Sequence, residues 1–247
     1  MQSSTVTIRP IEDVAEMRAV EDLQKEVWGI PDLEVVPLTQ LVAAREAGGT
    51  LIGAFDAETL VGFVYGFPSF EYGQAAHHSH MLAVKTAYRN HDLGRRLKLA
   101  QREHVLAQGI AVMTWTFDPL QSLNAHFNFN KLGVVADRYL PDFYGAEASS
   151  FLHQTGTDRL WVSWWLGSER VKKTIGGERA PESFGQDDVS IEIPGDINLL
   201  QRQETRTALQ WREETRRAFT DVIRGGYKVV GFTREKEIGR YLLRRES

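Results

Sequence analysis

The chain has 247 residues, of which 42% are hydrophobic and 25% charged, so it buries a sizeable core and reads as one large or two small soluble domains. The net charge of −4 argues against nucleic acid as a partner, and the lack of cysteine removes disulfides and thiol nucleophiles. No 18-residue apolar stretch is present to span a membrane, and no basic segment followed by an apolar run opens the chain, so neither a membrane nor a signal peptide is expected and the location is expected to be cytoplasmic.

Residues 5–11 alternate like a strand, residues 12–28 form a charged amphipathic helix, and Pro31 and Pro37 bracket a loop. Residues 38–46 are a second helix, stopped by Gly48-Gly49. Residues 50–55 and 60–67 read as a hairpin around Asp56-Ala57-Glu58-Thr59. A strand at 78–84 then gives way to a polar loop and to a helix at 93–108. On that helix Leu93, Leu97, Ala100 and Ala107 share the face expected to pack on a sheet, and Arg95, Lys98 and Arg102 lie opposite, as a solvated face or an anion contact. A buried strand at 111–117 precedes a helix opened by Asn124 and closed by Gly133, with strands at 134–139 and 159–166 after it.

Residues 168–187 break the pattern, with Gly176-Gly177 and Pro181 marking a surface loop, lid or linker. Beyond it come a strand at 189–193 and one long helix at 199–224, with Leu200, Ala208, Trp211, Ala218 and Val222 in an apolar stripe. Strands at 227–232 and 238–243 follow. The expected organisation is a domain at 1–167, a loop or linker at 168–187, and an extension at 188–247. That extension is too small for a core of its own, so it is expected to dock on the main domain or on a dimer partner.

The chemistry concentrates at residues 78–109. A strand–loop–helix junction offers unpaired backbone N–H groups and the positive end of a helix dipole to an anion. Period 2 puts His78 and His80 on one face of the strand, where imidazoles titrate in the range that proton transfer needs. The plainer reading is a set of solvated histidines at a strand's start. No cysteine and no helical His-x-x-x-His pair accompanies them, so no metal site is expected. A Walker lysine loop is absent, which disfavours ATP chemistry, and no paired-carboxylate motif points to glycoside hydrolysis.

The run Arg89-x-x-Asp92-x-Gly94 is similar to the pyrophosphate loop of the GNAT superfamily of acyl-CoA N-acyltransferases, Gln/Arg-x-x-Gly-x-Gly, with one glycine replaced by Asp92. The strand His78-x-His80-x-Leu82-Ala83-Val84 resembles that of the arylalkylamine N-acetyltransferases, where two histidines help deprotonate the amine. Asn124, followed by aromatic-x-Lys131-x-Gly133, is similar to the element whose Asn reaches the pantetheine arm of CoA; an Asn there also suits a helix N-cap. The element order β-α-α-β-β-β-α-β-α-β-β over residues 5–167 is the GNAT order, so the resemblance covers about two-thirds of the chain.

The resemblance implies an α/β (α+β) fold: a GNAT-like mixed central sheet flanked by helices, carrying a β-α-β-β C-terminal extension. It implies acetyl-CoA or another acyl-CoA as cosubstrate and no metal. Leu82, Ala83, Val84, Arg89, Asn90, His91, Asp92, Leu93, Gly94, Arg95, Asn124 and Phe127 become the cofactor-binding set, and Arg95, Lys98 and Arg102 become candidates for the 3′-phosphate. Many members protonate the leaving thiolate with a Tyr two residues before the helix Lys; that position is Phe129 here, so Tyr144, or else Tyr139, is expected to supply the phenol, with aromatic packing as the alternative. The implied activity is direct transfer of an acetyl or succinyl group to a primary amine of a small molecule or amino acid. Arg212, Arg216 and Arg217 are candidates for an acidic acyl group or carboxylate, or a solvated helix face. A catalytically degenerate fold that binds CoA or another small ligand is the competing reading, and a homodimer through the tail is a further expected arrangement.

Overall fold

The computed structural model describes residues 6–89, 91–145, 155–178 and 185–245. They form two compact units, Met1–Thr114 and Trp115–Ser247. The expected 188–247 extension therefore belongs to a unit that begins well before it.

The first unit holds β1 (Thr7–Pro10), α1 (Val14–Trp28), α2 (Leu38–Glu46), β2 (Thr50–Asp56), β3 (Thr59–Glu71), β4 (Gln74–Val84), α3 (Leu93–Ala107) and the start of β5 (Val112–Phe117). Strands β1 to β4 pair antiparallel in chain order, and β4 pairs parallel with β5, which makes the sheet mixed. Each helix has a local cause. Asp13 caps α1 by accepting from the Glu16 N–H at 2.7 Å, and Gly29, at φ 64°, ends it. The β3–β4 hairpin is longer than the sequence suggests and turns at Tyr72 and Gly73, both at positive φ (50° and 74°), the combination that suits the twist of a hairpin.

The sheet buries both faces. Met17, Val20 and Leu23 of α1 and Leu41 of α2 pack on Leu51, Phe55, Phe63 and Tyr65. Leu93 and Leu97 of α3 pack on Ile52, Ala54, Val61 and Val64 on the other side. Burying aliphatic side chains of this size contributes roughly 1.5–3 kcal/mol each.

The second unit holds the rest of β5, α4 (Ser122–His126), β6 (Val135–Leu140), β7 (Arg159–Trp165), α5 (Glu169–Ile175), β8 (Val189–Pro194), α6 (Ile197–Gln203), α7 (Thr205–Arg224), β9 (Tyr227–Arg234) and β10 (Ile238–Arg245). Its strands run in the order β5-β7-β6-β9-β10-β8, with β9 antiparallel to β6. Three expectations need correction. The expected loop at 168–187 contains α5, because Ser168 caps a turn there by accepting from the Val171 N–H. The single long helix is broken at Glu204, whose φ of −143° is extended, into α6 and α7. The buried stripe of α7 is Ala208, Arg212, Thr215 and Phe219, so two polar residues stand where only apolar ones were expected. Among the described residues, no helix is long and apolar enough to cross a membrane.

Candidate functional site

Strand β4 carries an irregularity at its histidines. Tyr65 of β3 faces Met81 and Gly66 faces Ser79, so His80 is the extra residue of a β-bulge. The bulge divides the strand's side chains. His78 and His80 lie beside Phe67, with ring centroids 5.4 and 5.6 Å from it, and Ala83 joins the core on the α1–α2 face. Leu82 and Val84 pack instead with the α3 cluster. The two histidine rings are 6.3 Å apart, as period 2 requires. The His80 side chain is exposed, yet its packing against Tyr65 and Phe67 withdraws the ring from water enough to lower its pKa. His78 Nδ1 lies 3.1 Å from Oγ1 of Thr114 on β5, a partner the sequence reading missed.

Among the described residues, the parallel ladder between β4 and β5 consists of His77 with Met113 and His78 with Thr114. Among the described residues no strand pairs with that edge of β4 from Ser79 to Val84, which leaves backbone N–H and C=O groups for a ligand.

The loop after β4 leads into α3 through a 3-10 turn at Thr86–Tyr88. Tyr88 Oη donates to Asp56 Oδ2 at 2.5 Å, which ties this turn to the end of β2. Asp92 takes the left-handed conformation, φ 55° and ψ 15°, at the position where the family motif has glycine. Asp92 makes no capping bond to the helix: its carboxylate accepts from Arg95 Nη1 at 3.2 Å. The N–H groups of Leu93, Gly94 and Arg95 thus open the helix without that cap, and Arg96 makes the first bond back to the Asp92 carbonyl. Arg89 is exposed and donates to the Val84 carbonyl, His91 is exposed, and Asn90 lies outside the described residues.

One expected basic residue of α3 is misplaced by the sequence reading. Lys98 is 2% exposed. It stands two turns before buried Val105 and so shares the inward stripe, whereas Arg95 and Arg102 are half-buried and Ala107 is exposed.

The remaining candidates belong to the second unit. Asn124 is exposed inside α4, whose N-cap is Gln121, so the N-cap reading of Asn124 fails. Phe127 is half-buried and begins a π-turn, Phe127–Leu132, closed by Gly133 at φ 77°. Phe129 is a core ring, 1% exposed, set edge-on to Phe117 and Tyr241. Tyr139 donates to Asp158 and stacks on Phe219, and burial raises its pKa, so its proton is committed. Tyr144 is exposed on a turn held by its own N–H bond to Thr157 Oγ1, with the Arg159 guanidinium 5.0 Å over its ring.

Two of the three candidate arginines of α7 are paired with carboxylates. Arg212 donates to both oxygens of Asp118 at 2.7 and 2.8 Å, and Arg216 to Asp142 at 2.7 Å and to Asp158 at 2.6 and 2.9 Å. Arg217 is exposed beside Glu213. Among the described residues no group of three or more His, Cys, Asp or Glu is placed to hold a metal ion.

Comparison with known proteins adds the following. Residues 14–133 match the model of the acetyltransferase (GNAT) family. No curated protein matches the sequence. Among solved structures, aminoglycoside 6'-acetyltransferase type Ii is similar at 19% identity with a TM-score of 0.53, over 66% of this chain and 99% of that one. The ribosomal-protein-S18-alanine N-acetyltransferase of Escherichia coli is similar at 12% identity and TM-score 0.53, over 66% and 96%. The yncA protein of Salmonella typhimurium, holding its cofactor acetyl-CoA, is similar at 17% identity and TM-score 0.51, over 73% and 100%. At these identities the likeness is one of fold.

Proposed function

With residues 14–133 belonging to the acetyltransferase (GNAT) family, we propose that the chain transfers an acyl group from acyl-CoA to a primary amine of a small molecule or amino acid. The observation that carries this reading is the unpaired, bulged edge of β4 with His78 and His80 beside it, followed by an anion loop whose Asp92 adopts the glycine-type conformation. The pyrophosphate lies on the N–H groups that open α3. Backbone N–H groups of β4 near Leu82 polarise the thioester carbonyl. His78 or His80 removes a proton from the substrate ammonium, directly or through water, and the amine nitrogen attacks the carbonyl carbon. The C–S bond breaks as the tetrahedral intermediate collapses, and CoA leaves as its thiolate with no covalent enzyme intermediate. Holding both reactants together supplies much of the rate. Tyr144 is the candidate donor of a proton to the thiolate.

Both acetyl and succinyl donors fit this chemistry. Arg212 and Arg216, both paired with aspartates, give no support to a preference for an acidic acyl group. The test is release of CoA thiol from acetyl- and succinyl-CoA with a panel of primary amines, alongside calorimetry of acyl-CoA binding. Turnover with any amine supports the proposal. Binding without turnover favours a ligand-binding protein that has lost catalysis, and no binding removes both.

A further inference from the structure

The back of β4 carries a buried polar chain that the reaction just described does not use. Lys98 Nζ donates to Ser79 Oγ at 2.8 Å and reaches Gln101 Oε1 at 3.4 Å. Ser79 Oγ donates to Gln101 Oε1 at 2.8 Å, Gln101 Nε2 donates to Thr50 Oγ1 at 2.8 Å, and Thr50 Oγ1 lies 3.0 Å from His77 Nε2. All five side chains are at most 5% exposed. Ser79 Oγ accepts from Lys98 and donates to Gln101, whose amide then donates to Thr50 Oγ1; the sense of the last bond, to the His77 ring, follows the imidazole tautomer.

A lysine in this place is costly. Taking an amine out of water disfavours its charged form, and desolvation holds Lys98 well below the usual lysine range. A methionine would fill similar space without that cost. Side chains that break a packing rule at such expense collect at functional sites.

Its position says what it does. Ser79 stands between His78 and His80 and points to the opposite side of the strand, and His80 is the bulge residue. A bulge interrupts the backbone ladder, so backbone bonds alone do not fix the strand there. The side-chain chain supplies the missing restraint from α3 and from Thr50 of β2.

We infer that Lys98 is a positioning residue: by holding Ser79 from behind, it fixes the bulged part of β4 so that the His78 and His80 rings keep the orientation from which they take the amine proton. The chemical consequence rests on the acyl-transfer reading, whereas the geometric one stands without it.

The test uses the full chain. Lys98→Met removes the donor and Lys98→Gln restores a neutral one. In carbon–proton spectra of the imidazoles, Lys98→Met is expected to move the His78 and His80 resonances. Lys98→Gln should bring them part of the way back, and exposed His91 should not move. In turnover, Lys98→Met is expected to lower kcat roughly 10- to 100-fold while the acyl-CoA KM changes less than about threefold. It should cause no further loss in a His78→Gln, His80→Gln background. Unmoved His78 and His80 resonances in a folded Lys98→Met protein overturn the inference and leave acyl transfer standing. So does an equal further loss in the background without the two histidines. A wild-type protein with no acyl-CoA turnover overturns the acyl-transfer reading instead, and the ring resonances still decide the positioning. Should Lys98→Met fail to fold, Ser79→Ala carries the same readouts.

Discussion

His78 Nδ1 and Thr114 Oγ1 lie 3.1 Å apart at the parallel pairing of β4 with β5. With the proton on Nδ1 and the hydroxyl accepting it, the contact selects the imidazole tautomer in which Nε2 is the basic nitrogen. Thr114→Val keeps the shape and removes the hydroxyl. It is expected to lower kcat by roughly 10-fold with little change in melting temperature. Steady-state kinetics beside a thermal melt check this, and an unchanged kcat would make the contact one of packing only.

Burial lowers the His80 pKa, so this imidazole is neutral, and able to accept a proton, at lower pH than an ordinary histidine. If His80 is the base, the rate at saturating acyl-CoA climbs through a range below 6.5 and levels above it. The double variant His78→Gln, His80→Gln should lose that climb and run slower by roughly 10²-fold or more. A double variant with the wild-type pH–rate profile would dismiss both histidines as bases.

Asp92 combines a left-handed backbone, φ 55°, with a negative charge at a proposed phosphate site. Asp92→Gly relieves the backbone, removes the charge and releases Arg95 from its 3.2 Å pairing. Loss of the charge and release of Arg95 both favour an anion there, so acyl-CoA should bind several-fold tighter, on the order of 1 kcal/mol. Titration calorimetry reads this directly. Equal or weaker binding would place the pyrophosphate elsewhere.

The buried chain behind β4 gives stability a pH dependence on both sides. His77 is held at about 3 by burial, with the neighbouring Lys98 adding to the shift. Near pH 6.5 and below, the unfolded chain takes this proton and the folded one does not. The His77 contribution is therefore complete above that pH and is lost toward pH 3 by up to roughly 1.4 kcal/mol per pH unit. Lys98 acts at alkaline pH, because below its unfolded value the unfolded chain again binds a proton that the fold resists. Stability should rise as pH increases toward about 10.5, and Lys98→Met should flatten that rise. Urea denaturation across pH measures both limbs. A wild-type curve that is level on the alkaline side would contradict the account of Lys98.

The two phenols separate cleanly. Tyr139→Phe removes a buried bond to Asp158 and is expected to cost about 1–2 kcal/mol of stability. Tyr144→Phe alters an exposed hydroxyl and should leave the melt unchanged while lowering turnover, with acyl-CoA affinity kept. Equal turnover of Tyr144→Phe and wild type would assign the thiolate proton to water or to no residue.

Much of the fold could be read from the chain because its signals are local. Strand β2, the stop of α2 at Gly48-Gly49 and the close of the π-turn at Gly133 appear where the residues imply them, and β3 and β4 appear there too but run longer. The His78–His80 pair was legible for the same reason. Partners distant in sequence were not. Thr114 meets His78 only because β5 returns parallel to β4, and Arg212 meets an aspartate 94 residues earlier. Residue chemistry also misled: a lysine on a helix is read as solvated, and only its two-turn spacing from Val105 hinted that Lys98 faces inward.

The ion pairs of α7 bear on how such a chain can change over generations. Asp158 is fully buried and Asp118 nearly so, and each meets a guanidinium supplied by α7. A buried carboxylate deprived of its cation costs roughly 3–5 kcal/mol. While α7 stays in place, neither guanidinium can be lost without its carboxylate at less than that cost, so Arg212 with Asp118 and Arg216 with Asp158 should change as pairs.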